Sequence, residues 1–221
     1  MVKKEEFLAQ SFLFQGLEKE QLQLVAGIAV TKRYGRGQTI FLEGDPGIGF
    51  YMVASGKVKI YKMSQDGKEQ ILHVFGPGEP FGEVPVFHGA PFPASATALV
   101  TTETLFFPRN EFVELVTSNT SLALGMLAML SLRLRRFATQ VEHLSLKDVP
   151  ARLVAHLLYL SEEQKRKDKV ELEIPKGQLA SLLGTSPETL SRIFARLKED
   201  GLIRVEGKTI YLLDLQLLQE V

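Results

Sequence analysis

The chain has 221 residues, enough for one large domain or two modest ones, and 45% of them are hydrophobic, so a real core can form. It contains no cysteine, which excludes disulfides, thiolate-bound zinc, a cysteine-held iron–sulfur cluster and a cysteine nucleophile. Lys plus Arg and Asp plus Glu balance at 26 each, so attraction to nucleic acid must come from a local patch rather than from net charge.

Residues 1–30 read as helical. Phe7, Leu8, Phe12, Leu13, Leu17, Leu22, Leu24, Val25 and Ile28 recur at roughly helical spacing, with Gly16 marking a break. No signal-peptide core follows the charged start Lys3-Lys4-Glu5-Glu6.

From Arg33 to Phe107 short β-rich runs are separated by Gly or Pro. They are Thr39 to Leu42, Gly49 to Val53, Lys57 to Tyr61, Glu69 to Val74, Ala94 to Val100 and Thr102 to Phe107. Strands at this spacing with glycine turns predict a sandwich or barrel. Lys57 to Lys62 alternates strictly, so one of its faces should be wet and the other dry.

Residues 110–146 read as one helix with Asn110 as its N-cap. Its apolar set, Val113, Leu122, Met126, Met129, Leu130, Leu134, Phe137, Val141 and Leu144, repeats at three, four and seven. A homodimer along this seam is the economical way to cover it. The apolar stretch Leu122 to Leu132 is broken by Gly125 and Ser131 and flanked by Arg133, Arg135 and Arg136. It is too short to span a bilayer, and a cytoplasmic protein without membrane association is expected.

Asp148-Val149-Pro150 opens a new helix, with Asp as N-cap and Pro in the first turn, running to about Ser161. Glu162 to Lys169 reads as a solvated charged loop. A strand (Val170 to Ile174), two helices (Lys176 to Leu183 and Ser186 to Asp200) and a hairpin turning at Gly207-Lys208 complete the chain.

Those two helices, joined at Gly184, form a helix-turn-helix; Ser186 caps the second and Pro187 takes its first position. Leu190, Ile193, Phe194 and Leu197 share one face, and Glu188, Ser191 and Arg192 fall on the other near the N-terminal end. A recognition helix presents that region to base edges: Arg192 suits guanine, Glu188 can accept from cytosine, and Ser191 is adaptable. Ser186 and Thr189 sit beside them. Lys176, Arg196 and Lys208 are phosphate-contact candidates at the periphery, Lys208 at the tip of a wing.

With these motifs in place the chain resembles the Crp/Fnr superfamily of bacterial transcription factors over nearly its whole length. The resemblance rests on Gly78-Glu79-Pro80-Phe81-Gly82-Glu83, Leu144-Ser145-Leu146-Lys147-Asp148-Val149, Glu188-Thr189-Leu190-Ser191-Arg192 and Gly207-Lys208-Thr209. It implies an α+β architecture: a jelly-roll sensor domain of the cyclic-nucleotide-binding type (1–109), a dimerisation helix (110–147) and a winged helix-turn-helix (148–221). The Glu-x-x-Ser-Arg pattern is similar to the Fnr/Dnr branch. That implies an inverted repeat of TTGA-like half-sites in double-stranded DNA, RNA polymerase as a partner, and a nitrogen-oxide or redox signal.

The resemblance places an effector pocket at Gly82, Glu83, Ala94, Ser95, Arg133 and Phe137. In cyclic-nucleotide-binding members an Arg-Ser pair clamps the phosphate, and Ala94-Ser95 stands there instead. Without the guanidinium one anionic oxygen goes uncompensated, so the expected effector is not classical cAMP. The positions that would hydrogen-bond adenine are Phe137 and Ala138, neither a side-chain donor.

Haem remains as a family cofactor and needs an axial ligand. The histidines are His73 on a strand near the pocket, His88 in the loop after Phe81-Gly82-Glu83, His143 on the dimer helix and His156 in the DNA domain. The positions of CooA-type ligands are Gly82 and Val84, and Met126 and Met129 qualify by residue type alone.

Two other classes compete with this reading. A metal cupin needs a His-x-His pair, which is missing, and neither a nucleophile elbow nor a phosphate-binding glycine loop occurs. No enzymatic activity is expected. A regulatory protein that binds a cyclic nucleotide or other small ligand for a separate effector is the alternative, and the helix-turn-helix with its wing speaks against it.

Overall fold

The computed structural model describes residues 4–14 and 17–219. Gly16, expected to break the N-terminal helices, and the His143 side chain lie outside the described residues. The chain forms two compact units whose boundary, Arg135/Arg136, falls within one long helix.

The first unit opens with α1 (Lys4–Gln10) and α2 (Lys19–Ile28). Glu18 and Gln21 close a capping box at the start of α2, satisfying backbone N–H groups that a helix end leaves unpaired. Strands β1 (Val30–Tyr34), β2 (Thr39–Phe41), β3 (Gly49–Ser55), β4 (Val58–Met63), β5 (Glu69–Phe75), β6 (Pro80–Phe81), β7 (Ser95–Ala98) and β8 (Thr102–Pro108) follow. A short helix α3 (Val84–His88) lies between β6 and β7. The first sheet runs β1-β8-β3-β6 and the second β2-β7-β4-β5, all neighbours antiparallel. Two such sheets with crossing connections make the jelly roll. β1 begins at Val30, ahead of the Arg33 start read from the sequence, because its pairing with β8 is set by partners seventy residues away.

Between the sheets lies a cluster of aromatic rings: Phe41, Tyr51, Phe75, Phe81, Phe92 and Phe106. Phe41 and Phe92 stack with centroids 3.8 Å apart. A second core joins Leu8, Leu13 and Phe14 of the N-terminal segment to Phe50, Phe107 and Phe112.

The helix read over 110–146 is two helices, α4 (Arg109–Ser118) and α5 (Thr120–Leu146), broken at Asn119. Pro108, not Asn110, is the N-cap of α4. The Asn119 side chain accepts from the Leu122 N–H at 3.0 Å and so caps the start of α5. This break redistributes the apolar set. Leu122 and Met126 are 1% and 3% exposed and, with Met129, pack into the N-terminal core rather than along a seam. Leu127 (60%), Leu134 (71%) and Val141 (63%) are exposed at intervals of seven, interleaved with the exposed Phe137 and Leu144 and with Leu130, which is half-buried against the N-terminal core. That row is a complete a/d heptad stripe, and Leu127 joins it beyond the set read from the sequence.

The second unit holds α6 (Val149–Glu163), β9 (Lys169–Glu171), α7 (Lys176–Leu182), α8 (Pro187–Glu199), β10 (Ile203–Glu206), β11 (Thr209–Leu212) and α9 (Leu215–Gln219). Asp148 caps α6 by accepting from the Ala151 N–H at 3.0 Å, with Pro150 in the first turn. The charged connection is shorter than expected, because α6 continues through Glu163. The sheet order is β10-β11-β9, so the expected hairpin gains a third strand.

Candidate nucleic-acid interface and effector pocket

Helix α7 ends in a Schellman arrangement. Thr185 N–H bonds to the Ala180 carbonyl at 2.9 Å and Gly184 N–H to that of Ser181. Gly184 adopts φ +66°, a left-handed conformation that a Cβ penalises, and the chain reverses there into α8. Ser186 caps α8 by accepting from the Thr189 N–H at 3.2 Å. Leu190, Ile193, Phe194 and Leu197 are buried, which turns Glu188, Ser191 and Arg192 to the outside.

Thr189 joins two of the side chains around them. Arg192 Nη2 donates to Thr189 Oγ1 at 3.3 Å, and the Ser186 and Thr189 hydroxyls lie 3.1 Å apart. The Glu188 carboxyl is held below the usual carboxylate range by its own backbone N–H, by the Ser186 hydroxyl and by the Arg192 charge. A fixed anion and a guanidinium four residues apart give the helix start both an acceptor and a forked donor.

The peripheral cations are less uniform. Lys208 is exposed at the tip of the β10–β11 hairpin, where Gly207 adopts φ +60°. Lys176 sits over the Phe194 ring at 4.9 Å, and Arg196 lies 3.7 Å from Asp200 one turn on. Two further cations carry no local sequence signal: Arg204 pairs with Glu206 at 2.9 Å and covers the Tyr211 ring at 4.2 Å, and the Arg152 guanidinium reaches the Leu183 carbonyl at 2.7 Å.

In the first unit Gly82, Glu83, Ala94 and Ser95 gather between β6, α3 and β7. Gly82 has φ +71°, and a Cβ there would meet the Phe41 and Phe92 rings at 3.1 Å, so the glycine is required by both conformation and space. Glu83 is buried and takes Arg133 of α5 as its counter-ion at 2.5 Å. The same guanidinium donates to the Pro80 carbonyl and lies over Phe75 at 5.0 Å. The Ser95 hydroxyl accepts from the Glu43 N–H at 3.0 Å. Beside Ala94, Lys62 donates to the Pro93 carbonyl at 2.9 Å and pairs with Glu43, a placement with no local sequence signal. Phe137 is exposed on α5 and belongs to the second unit.

The candidate haem ligands do not converge. Met126 and Met129 are enclosed in the N-terminal core. His73, on β5, packs edge-on against Phe75 and lies 3.9 Å from Glu79. His88 ends the short helix α3 rather than lying in a loop, and it is exposed. Burial of His156 in the second unit pushes its imidazole down to about 4. Among the described residues no three metal-ligating side chains cluster. The described candidate side chains do not come together to hold haem.

A jelly roll joined by a long helix to a winged helix-turn-helix defines an effector-linked DNA-binding regulator, and the comparisons with known proteins agree. Residues 31–119 match the cyclic nucleotide-binding domain and residues 151–221 the Crp-like helix-turn-helix domain. The chain is 31% identical over 214 residues to the CRP-like cAMP-activated global transcriptional regulator of Mycobacterium tuberculosis, covering 95% of this chain and 96% of that one. Among solved structures, FixK2 from Bradyrhizobium japonicum superposes with a TM-score of 0.77 at 25% identity, covering 87% of this chain and 96% of that one. DNR from Pseudomonas aeruginosa is 34% identical with a TM-score of 0.52, covering 97% and 96%. The chain belongs to the Crp/Fnr family of DNA-binding transcriptional regulators. No single helix among the described residues is long and apolar enough to cross a membrane.

Proposed function

We propose that the protein is a cytoplasmic homodimer that binds an inverted repeat of TTGA-like half-sites and contacts RNA polymerase. The observation that carries this reading is the start of α8, where Glu188, Ser191 and Arg192 are exposed above a buried apolar face beside the Lys208 wing. Arg192 reads guanine, Glu188 accepts from cytosine, and Ser186, Thr189 and Ser191 complete the contact surface. Lys176, Arg196 and Lys208 contact phosphates. The heptad stripe from Leu127 to Leu144 pairs the two chains, and two recognition helices one DNA turn apart then match a palindrome. Functionally the chain divides into a sensor (1–109), a dimerisation segment (110–147) and a DNA-binding domain (148–221).

The effector, on this reading, is a small molecule other than cAMP held by the usual phosphate clamp. Support comes from Ala94 in place of the clamping arginine and from Glu83 already neutralised by Arg133. Effector entry shifts the dimer between two arrangements, and the hinge at Lys147-Asp148 passes the change to the DNA domains. A nitric-oxide or redox signal carried by haem has less support, because the described candidate ligands are dispersed. Classical cAMP is the second reading, favoured by retention of Gly82, Glu83 and Ser95 and by the cAMP-activated relative.

Selection of binding sites from random DNA by the purified protein, prepared anaerobically, tests both parts. Enrichment of a TTGA-like palindrome without cAMP, and no heat of binding when cAMP is titrated alone, is the expected result. Enrichment only with cAMP transfers the effector assignment to the second reading, and no enrichment under any condition overturns the half-site.

A further inference from the structure

The sequence-specific reading above needs α8 to be held at one angle, and the second unit contains a side chain placed to do this. The Schellman bonds that end α7 serve the Ala180 and Ser181 carbonyls, and that of Leu183 takes its donor from another helix. Arg152, in the first turn of α6, donates to it from Nη1 at 2.7 Å. Its Nε also reaches the carbonyl of Asp148, the N-cap of α6, at 3.3 Å. Arg152 has no carboxylate partner among the described residues, so both of these bonds go to backbone. One planar guanidinium therefore joins the start of the DNA-binding unit, two residues past the end of α5, to the turn from which the recognition helix departs.

We propose that Arg152 is a positioning residue for sequence-specific DNA binding. It fixes the angle of α8 relative to α6, so that both recognition helices of the dimer meet their half-sites at one spacing. The proposal rests on the base-reading assignment of Glu188 and Arg192. Base contacts need their supporting side chains held to within a fraction of an ångström, whereas phosphate contacts tolerate more play. A charge-assisted bond from a rigid fork supplies that constraint, and a lysine cannot reach both carbonyls in the same geometry.

The test compares wild type, R152M and R152K as full-length dimers on the selected palindrome, on random DNA, and on a palindrome library with altered spacing between half-sites. In R152M the ratio of specific to random affinity should fall on the order of tenfold, the scale of one lost charge-assisted bond. The range of accepted spacings should widen, and the salt slope on random DNA should stay as in wild type. R152K should fall between the two proteins. Equal weakening on both DNAs, or unchanged spacing preference with only a lower unfolding temperature, overturns the positioning role. If R152M does not fold, R152K decides alone: wild-type ratio and spacing in that variant overturn the proposal. A wild-type protein that selects no sequence overturns the base-reading assignment instead, and that outcome is read before any variant is made.

Discussion

Arg133 and Glu83 face each other across the junction between the long helix and the jelly roll, 2.5 Å apart and both largely buried. The arginine lies on α5 and the carboxylate at the start of α3, fifty residues earlier. The pair ties the helix to the loop between β6 and α3 that carries Gly82 and Glu83 of the candidate effector pocket. Its geometry is reinforced by the Pro80 carbonyl and by the Phe75 ring beneath the guanidinium.

Removing one partner strands the other charge. Arg133→Ala should destabilise the first unit by about 2–3 kcal/mol, somewhat below the cost for a fully buried pair because both groups retain some contact with water. Thermal unfolding of Arg133→Ala beside Glu83→Gln checks this; a loss under about 0.5 kcal/mol would reduce the pair to a surface contact.

Arg192→Ala should cost about 1–3 kcal/mol of specific binding and relax the preference at one guanine. Competition binding on operators varied one base at a time gives the answer. Equal weakening on specific and random DNA would contradict a base-reading role.

Lys208→Ala should act differently, because a wing-tip ammonium sees phosphate charge and not sequence. Affinity should fall nearly uniformly across sequences, and the salt slope should drop by about 1. A loss confined to one operator would rule out the phosphate assignment.

Leu134→Glu places a charge in the middle of the exposed stripe and should convert the dimer into a folded monomer. Sedimentation reports the mass, and affinity for the palindrome should collapse toward that for a single half-site. A dimer of wild-type strength would move the interface elsewhere.

His156 gives the second unit an acid limit. Its folded value of about 4 lies below the unfolded value near 6.5, so the unfolded chain binds the additional proton between them. Stability from the neutral imidazole is therefore complete above about pH 6.5 and lost as the pH falls toward 4, by about 3 kcal/mol at most. Urea unfolding of wild type and His156→Gln across that range should show the slope only in wild type.

Local rules made much of the DNA-binding unit legible. Asp148-Val149-Pro150 and Ser186-Pro187 are caps whose hydrogen bonds close within three residues, and both form as read. Gly184 and Gly207 mark turns for the same reason. The face of α8 follows from its period alone, and the buried set is the expected one. The jelly-roll strands were placed closely by their glycine punctuation.

Features that depend on distant partners were not readable. The apolar residues of 110–146 carry a helical period, but nothing local says which turn faces the protein's own core. The approach of Leu8, Leu13 and Phe14 decides that Leu122, Met126 and Met129 are core, with Leu130 half-buried against them, and that Leu127, Leu134, Phe137, Val141 and Leu144 are left outside. The Arg133–Glu83 pair, the Lys62 contact beside Ala94 and the Arg152–Leu183 bond each join residues thirty or more positions apart, and a long flexible cation has many partners within reach of its stem. The sequence by itself determined the caps, the turns and the outward face of the recognition helix, because those rest on bonds and periods spanning a few residues, and its motifs carried the resemblance to the family. Only the tertiary structure decided which apolar residues of the long helix stay exposed, that Arg133 meets Glu83 and that Arg152 meets the Leu183 carbonyl, because those choices are made by packing between segments far apart in the chain.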